Sequence, residues 1–220
     1  RWSTSLLAHY ENETKAHDGN DDGFVDIPQV EQYNVWNRWA YMGDHYVFQA
    51  GIKALSETRT SGQANHGGAI HSGDLYKVGI DTERYEFFTK NAYIFNKEKN
   101  TNLALILSTT LHNQDATYGR KLYNVDQTNV YASLMFETEF NPQNSFSAGL
   151  SFNYDAYDQH YRLENNTDNP LKAFEKEAVP GAYVQYTLNL NDKWMVMAGL
   201  RGDYSNEHGF FVTPRAHLKY

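Results

Sequence analysis

Oxygen-bearing side chains crowd one short stretch near the start of the chain. Asp18, Asn20 and Asp22 alternate, Gly23 takes the sixth place and Asp26 the ninth. Alternating carboxylate and amide oxygens around a glycine turn are how a hard cation is wrapped, and this spacing follows the first half of a calcium loop. The twelfth place holds Gln29, where such a loop carries a bidentate carboxylate. Ca2+ in a surface loop is the one cofactor expectation these residues raise. The plainer reading is a solvated turn, since Asp, Asn and Gly populate any such loop.

Histidines supply a second set. His66 and His71 lie in the Gly-rich segment from Ser61 to Asp74, where a pair of imidazoles is able to ligate a metal or a haem. Without a rigid element to hold the pair, the segment reads equally as plain surface loop. Further on, Arg201, Asp203, Arg215 and His217 fall on one face of two successive runs. Either they meet what passes along that face, or they form a charge ladder across neighbouring strands. Asp155, Asp158, His160 and Asp203 are the acids and imidazole from which a hydrolase centre could be built. The chain has no Cys, no Gly-x-Ser-x-Gly elbow, no His-Glu-x-x-His pair and no phosphate loop. Thiolate chemistry, disulfides and the commonest hydrolase and nucleotide motifs are therefore absent.

All these groups need elements to hold them, and the period of the sequence says which. It is two almost everywhere, the signature of half-exposed strands. Phe146, Ala148, Leu150, Phe152, Tyr154 and Ala156 alternate with Ser145, Ser147, Gly149, Ser151, Asn153 and Asp155. Ala182, Val184, Tyr186 and Leu188 repeat the pattern, as do Val196, Ala198 and Leu200, and then Val212, Pro214, Ala216 and Leu218. Weaker versions run through the first half, the least regular lying between Tyr33 and Met42. The expectation is an all-β, antiparallel chain of about ten strands, many around ten residues long, the length a tilted strand needs to cross a bilayer. Short connections near Gly43, Asn96 to Asn102, Asn141 to Asn144 and Asn191 alternate with long polar ones. The long ones are expected at Glu11 to Gln29, Thr58 to Asp74, Asn113 to Gln127 and Gln159 to Ala178. Tight turns at one end and long loops at the other are the layout of a transmembrane barrel, and Tyr and Trp near strand ends suit its aromatic girdles.

Composition narrows the partners. The 220 residues carry a formal charge of −8 with Lys and Arg scattered, which argues against nucleic acid as the main partner. A mean hydropathy of −0.70 and the lack of long apolar runs exclude helical spans. The same average is what a barrel shows when one face of each strand meets lipid and the other meets water. A soluble β-sandwich or lectin-like module is the competing architecture, though it would have to hide the apolar faces against a second sheet.

The stretch Trp194-Met-Val-Met-Ala-Gly-Leu-Arg-Gly-Asp-Tyr204, then His208-Gly209 and Phe211-Val-Thr-Pro-Arg-Ala-His-Leu-Lys-Tyr220, resembles a recurring hairpin of TonB-dependent outer-membrane receptors. Val179-Pro-Gly-Ala-Tyr-Val-Gln-Tyr186, Gln127 to Ala132 and Leu150 to Tyr154 resemble earlier strands of that family, and the loop Asp18 to Pro28 an acidic loop of its Bacteroidetes-type members. The resemblance implies a bacterial outer-membrane location and a barrel of roughly 22 strands closed by a plug. It implies lipid, a TonB complex acting through the plug, and a small nutrient (an iron complex, haem, cobalamin or a glycan) as partners, with no catalysis. Residues 1–220 would then be one partial barrel domain, without the plug and the remaining strands. A self-contained ten-stranded surface protease of omptin type is the alternative.

Overall fold

The computed structural model describes residues 1–64, 75–163, 170–190 and 193–220. Ten strands follow one another: β1 (Trp2–Glu13), β2 (Gln29–Met42), β3 (Tyr46–Gly62), β4 (Lys77–Asn96), β5 (Thr101–Tyr118), β6 (Lys121–Asn141), β7 (Asn144–Arg162), β8 (Leu171–Asn189), β9 (Met195–Ser205) and β10 (Gly209–Lys219). They form a single antiparallel meander in sequence order, with β1 and β10 at its two edges. The segment between Tyr33 and Met42, the least regular in sequence, belongs to β2 and pairs on both sides.

Among the described residues no second layer covers this sheet, and they form no core of the soluble kind. Among the described residues only Ala50, Ala116 and Val125 are buried apolar side chains, while Leu6 is 67% exposed, Leu150 59% and Leu200 52%. A sandwich would bury these side chains; a wall standing in lipid presents them.

The register shows that the apolar face is one band across the ten strands, with Asn91 on β4 a polar member of its row. Trp2 pairs with Tyr41, Tyr41 with Phe48, Phe48 with Asn91, Asn91 with Leu105, Leu105 with Leu134 and Leu134 with Leu150. The row goes on through Ala182 and Gly202 to Val212. Aromatic residues border the band, with ring centroids 5.0 Å apart for Trp2 and Tyr41 and 4.6 Å for Trp194 and Tyr220 at the short-turn end. Tyr10 and Tyr33, 5.0 Å apart, mark the other border. The lower border slides along the register: Trp2 lies in the row that reaches Val212 on β10, yet the border aromatic there is Tyr220, eight positions on (220 − 212). Such drift is what tilted, staggered strands produce when the band stays level. On β7 the band runs from Phe146 to Tyr154, eight positions (154 − 146), or about 27 Å at roughly 3.4 Å per residue. At a tilt of about 40° that is roughly 21 Å along the membrane normal, near the ~25 Å apolar band of a transmembrane barrel.

One expected loop, Asn113 to Gln127, is strand instead, and so are the described ends of another, Gln159 to Ala178. β5 and β6 continue to a turn at Gly119 and Arg120, so Asn113 to Gln127 is almost wholly paired, and Gln159 to Tyr161 and Leu171 to Ala178 extend the β7–β8 ladder. These stretches are polar because they stand above the band, where the face below that is apolar turns to Asp81, Glu83, Asp115, Asp126 and Asp158. Polarity alone cannot tell a loop from a strand wet on both faces. The φ of +61° at Gly119 is the left-handed conformation so tight a hairpin demands. At the same end the β1–β2 loop is tied to β3 by Val25 donating to the Gly62 carbonyl and Ala64 donating to that of Gly23, each at 2.8 Å.

Candidate functional site on the polar face

Period two places every second residue on the polar face, and small residues there give the wall its relief. Gly51 pairs with Phe88, Gly149 with Tyr183 and Gly181 with Asp203. In each pair the larger side chain lies over the glycine: a Cβ on Gly51 would meet Phe88 at 2.5 Å, on Gly149 Tyr183 at 2.4 Å, and on Gly181 Asp203 at 2.1 Å. The glycines let neighbouring side chains lie flat across the strand.

Over Gly181 sits a charged pair of the wall, Arg201 and Asp203. Arg201 donates from Nε to Asp203 Oδ2 at 2.8 Å and from Nη2 to Oδ1 at 2.5 Å, and Nη2 also reaches Ser151 Oγ at 2.7 Å. Asp203 is 5% exposed. A bidentate guanidinium is the partner that meets both oxygens of a buried carboxylate at once. Of the residues singled out in sequence, Arg201 and Asp203 are thus brought together, and Arg201 faces Thr213 across the β9–β10 pair. Arg215 faces Gly199 and is diagonal to Arg201, while His217 faces Met197 nearer the short-turn end. An open recess of about 420 Å³ lies between Ser147, Tyr183, Gly199, Arg201 and Arg215.

A second network spans β6 and β7 and is neutral apart from one carboxylate. Asn129 donates to Asp155 Oδ1 at 2.9 Å, Asn153 to Oδ2 at 2.7 Å, Gln127 to the Tyr157 hydroxyl at 2.9 Å, and Tyr123 to Gln159 at 3.0 Å. On β3, above the band, Arg59 donates from Nε to Glu57 at 2.6 Å and Gln32 donates to the same carboxylate. The Arg59 hydrogen bond, with help from Gln32, holds Glu57 below the usual carboxylate range against the opposing effect of burial.

The acidic loop closes on itself. Asp18 accepts from the N–H of Gly23 at 2.8 Å and of Asp22 at 3.2 Å, Asp22 accepts from Phe24 at 2.9 Å, and Asp26 accepts from Gly19 at 2.6 Å. Asp21 and Gly23 take φ of 56° and 84°. Among the described residues no three His, Asp or Glu side chains converge as a metal set. His66 and His71 lie outside the described residues.

The hydrolase set is split between the two faces. Asp158 and His160, 3.6 Å apart, share the face of the apolar band, whereas Asp155 and Asp203 lie on the polar one. Ser151, Gly181 and Asn129, the partners of Arg201, Asp203 and Asp155, were not singled out from the sequence. Their only signal there is parity, which marks a face without saying which neighbours meet.

The description "outer membrane protein beta-barrel family" matches residues 79–219, more than half of the chain. Among solved structures, the chain is similar to one in the FpvAI–pyocin S2 complex, with a TM-score of 0.65 and 10% identity over 99% of this chain and 35% of that one. It is also similar to the siderophore receptor PirA from Pseudomonas aeruginosa, with a TM-score of 0.51 and 10% identity over 99% of this chain and 40% of that one. At such identity the likeness is one of fold, and this chain spans well under half the length of either. No curated protein matches it in sequence.

Proposed function

Because this chain belongs to the outer membrane protein β-barrel family, we propose that it is a length of wall of a TonB-dependent receptor, lying in the bacterial outer membrane and admitting a scarce nutrient. The observation that carries the reading is the single sheet, lipid-compatible on one face and hydrogen-bonded on the other. It lies over 99% of its length on two larger chains, one a siderophore receptor, while covering 35% and 40% of them. In that role the wall does no covalent chemistry. Paired groups such as Arg201 and Asp203 keep the polar face rigid, and Arg215 and His217, with His66 and His71, face the nutrient or a plug supplied by the rest of the protein. The nutrient class is an iron complex, haem, cobalamin or a glycan. Ca2+ in the Asp18–Asp26 loop belongs to the same proposal, as does the Bacteroidetes-type kinship that loop suggests.

The test is uptake by intact cells of labelled ferric siderophore, haem, cobalamin and oligosaccharide, with the full gene present or deleted and the TonB complex active or inactivated. Dependence of one nutrient on both supports the reading. Uptake of all four indifferent to both would sink it. The protease alternative has no observation in its favour, its residues lying on opposite faces of the wall.

A further inference from the structure

Strand β9 stops short of its neighbour. The β8–β9 ladder ends at the pair Gly181 and Asp203, whereas β8 goes on to Leu171 with β7 as its only strand partner among the described residues. The sequence explains the stopping point. The next residue of β8, Pro180, occupies a position whose N–H would point at β9, and proline has none. For one further step the β9–β10 turn takes over: Asn206 Oδ1 accepts from the Ala178 N–H at 2.6 Å, and its Nδ2 donates to the Lys176 carbonyl at 3.1 Å. Ser205, 1% exposed, anchors that turn by donating to Glu177 at 2.6 Å.

Ala178 therefore turns its peptide groups away from β7. By the alternation of an antiparallel strand, Lys176, Phe174 and Lys172 turn theirs the same way. Among the described residues the N–H of Lys176 and both peptide groups of Phe174 and Lys172 have no partner on that side. The edge stands in water, since the pair Tyr154–Ala178 marks the upper limit of the apolar band there. Its three side chains share one face, with Phe174 63% exposed between two lysines that form no ion pair among the described residues.

We propose that this free edge of β8, from Lys172 to Lys176, receives an extended peptide segment as an added strand, one carrying carboxylates on either side of an apolar residue. Main-chain hydrogen bonds to an open edge supply affinity in such additions, and alternate side chains supply choice. Carboxylates set across from or diagonal to Lys172 and Lys176, with an apolar residue beside Phe174, match the three side chains on offer. A second copy of the same edge is disfavoured, because antiparallel self-pairing sets lysine against lysine, the charge device by which edges avoid themselves.

The experiment uses the full-length receptor in detergent micelles and two fluorescent peptides of alternating threonine, one bearing Asp-Thr-Val-Thr-Asp and the other Lys-Thr-Val-Thr-Lys, with anisotropy as readout. The acidic peptide is expected to bind at least about tenfold tighter than the basic one. Phe174→Pro removes the ring together with an N–H that faces the open side, leaves the β7 ladder its hydrogen bonds, and is expected to weaken the acidic peptide by about tenfold or more. The pair Lys172→Glu and Lys176→Glu is expected to reverse the preference, and it tests the charge argument even if the proline variant folds poorly. Equal binding of the two peptides, or acidic-peptide binding indifferent to both sets of changes, overturns the proposal. No nutrient is involved, so its failure is distinct from failure of the transport reading.

Discussion

Gly149 lies beneath the ring of Tyr183, its partner across the β7–β8 pair. A Cβ there would come within 2.4 Å of Tyr183 Cε1 and 2.8 Å of the Leu134 carbonyl oxygen. The ring can swing aside; the backbone carbonyl belongs to a paired strand and cannot. Gly149→Ala is expected to destabilise the folded wall by about 1–3 kcal/mol, the usual cost of overpacking. Gly199→Ala, whose Cβ would meet nothing nearer than 3.3 Å, is the milder control. The check is the temperature at which the full-length protein loses its folded mobility on gels; equal losses would contradict the geometry.

Asp203 is buried and its two oxygens are met by one guanidinium. Arg201→Ala leaves that carboxylate unpaired, a loss of roughly 3 kcal/mol for a buried pair, reduced here because the Arg201 side chain is 32% exposed. Asp203→Asn keeps one acceptor and costs less, and the double change Arg201→Ala with Asp203→Ala is expected to cost less than the two single changes summed. Strict additivity in that cycle would show that the pair does not act as a unit.

Leu150 sits midway between Phe146 and Tyr154 on the band and pairs with Leu134. Leu150→Arg is expected to cost about 2–4 kcal/mol, as for a charge at the bilayer midplane of a barrel. Asn153→Arg, three residues on and on the polar face beside Asp155, is expected to cost about 1 kcal/mol or less. Denaturant titration in lipid vesicles separates the two, and similar costs would mean that the faces have been assigned the wrong way round.

Asp18 accepts from the backbone of both Asp22 and Gly23, so Asp18→Ala opens the turn that places Asn20 and Asp22. If the loop binds calcium as proposed, calorimetric titration gives heat with the full-length protein and none with Asp18→Ala or Asp22→Ala. Heat absent from the unaltered protein removes calcium from the proposal.

The alternation of Phe146 to Ala156 with Ser145 to Asp155 was enough to establish strands, and with them a wall having one lipid face and one wet face. The reason is local: side chains alternate strictly along a strand, whatever it pairs with. For the same reason Arg201 and Asp203 could be put on the polar face from sequence. What alternation cannot carry is where a strand stops, because a strand wet on both faces is as polar as a loop; hence Asn113 to Gln127 reads as a connection and folds as a ladder.

Register across neighbours, too, was decided only by the tertiary structure. Parity says that Gly149, Tyr183, Gly181 and Asp203 share a face, and only the pairing says that each glycine lies under the larger side chain beside it. The division of Asp155 from Asp158 and His160, and the early end of the β8–β9 ladder at Asp203 beside a taller β8, likewise became visible once the strands were set against one another. Contacts between strands depend on relative shift, a quantity no single strand contains.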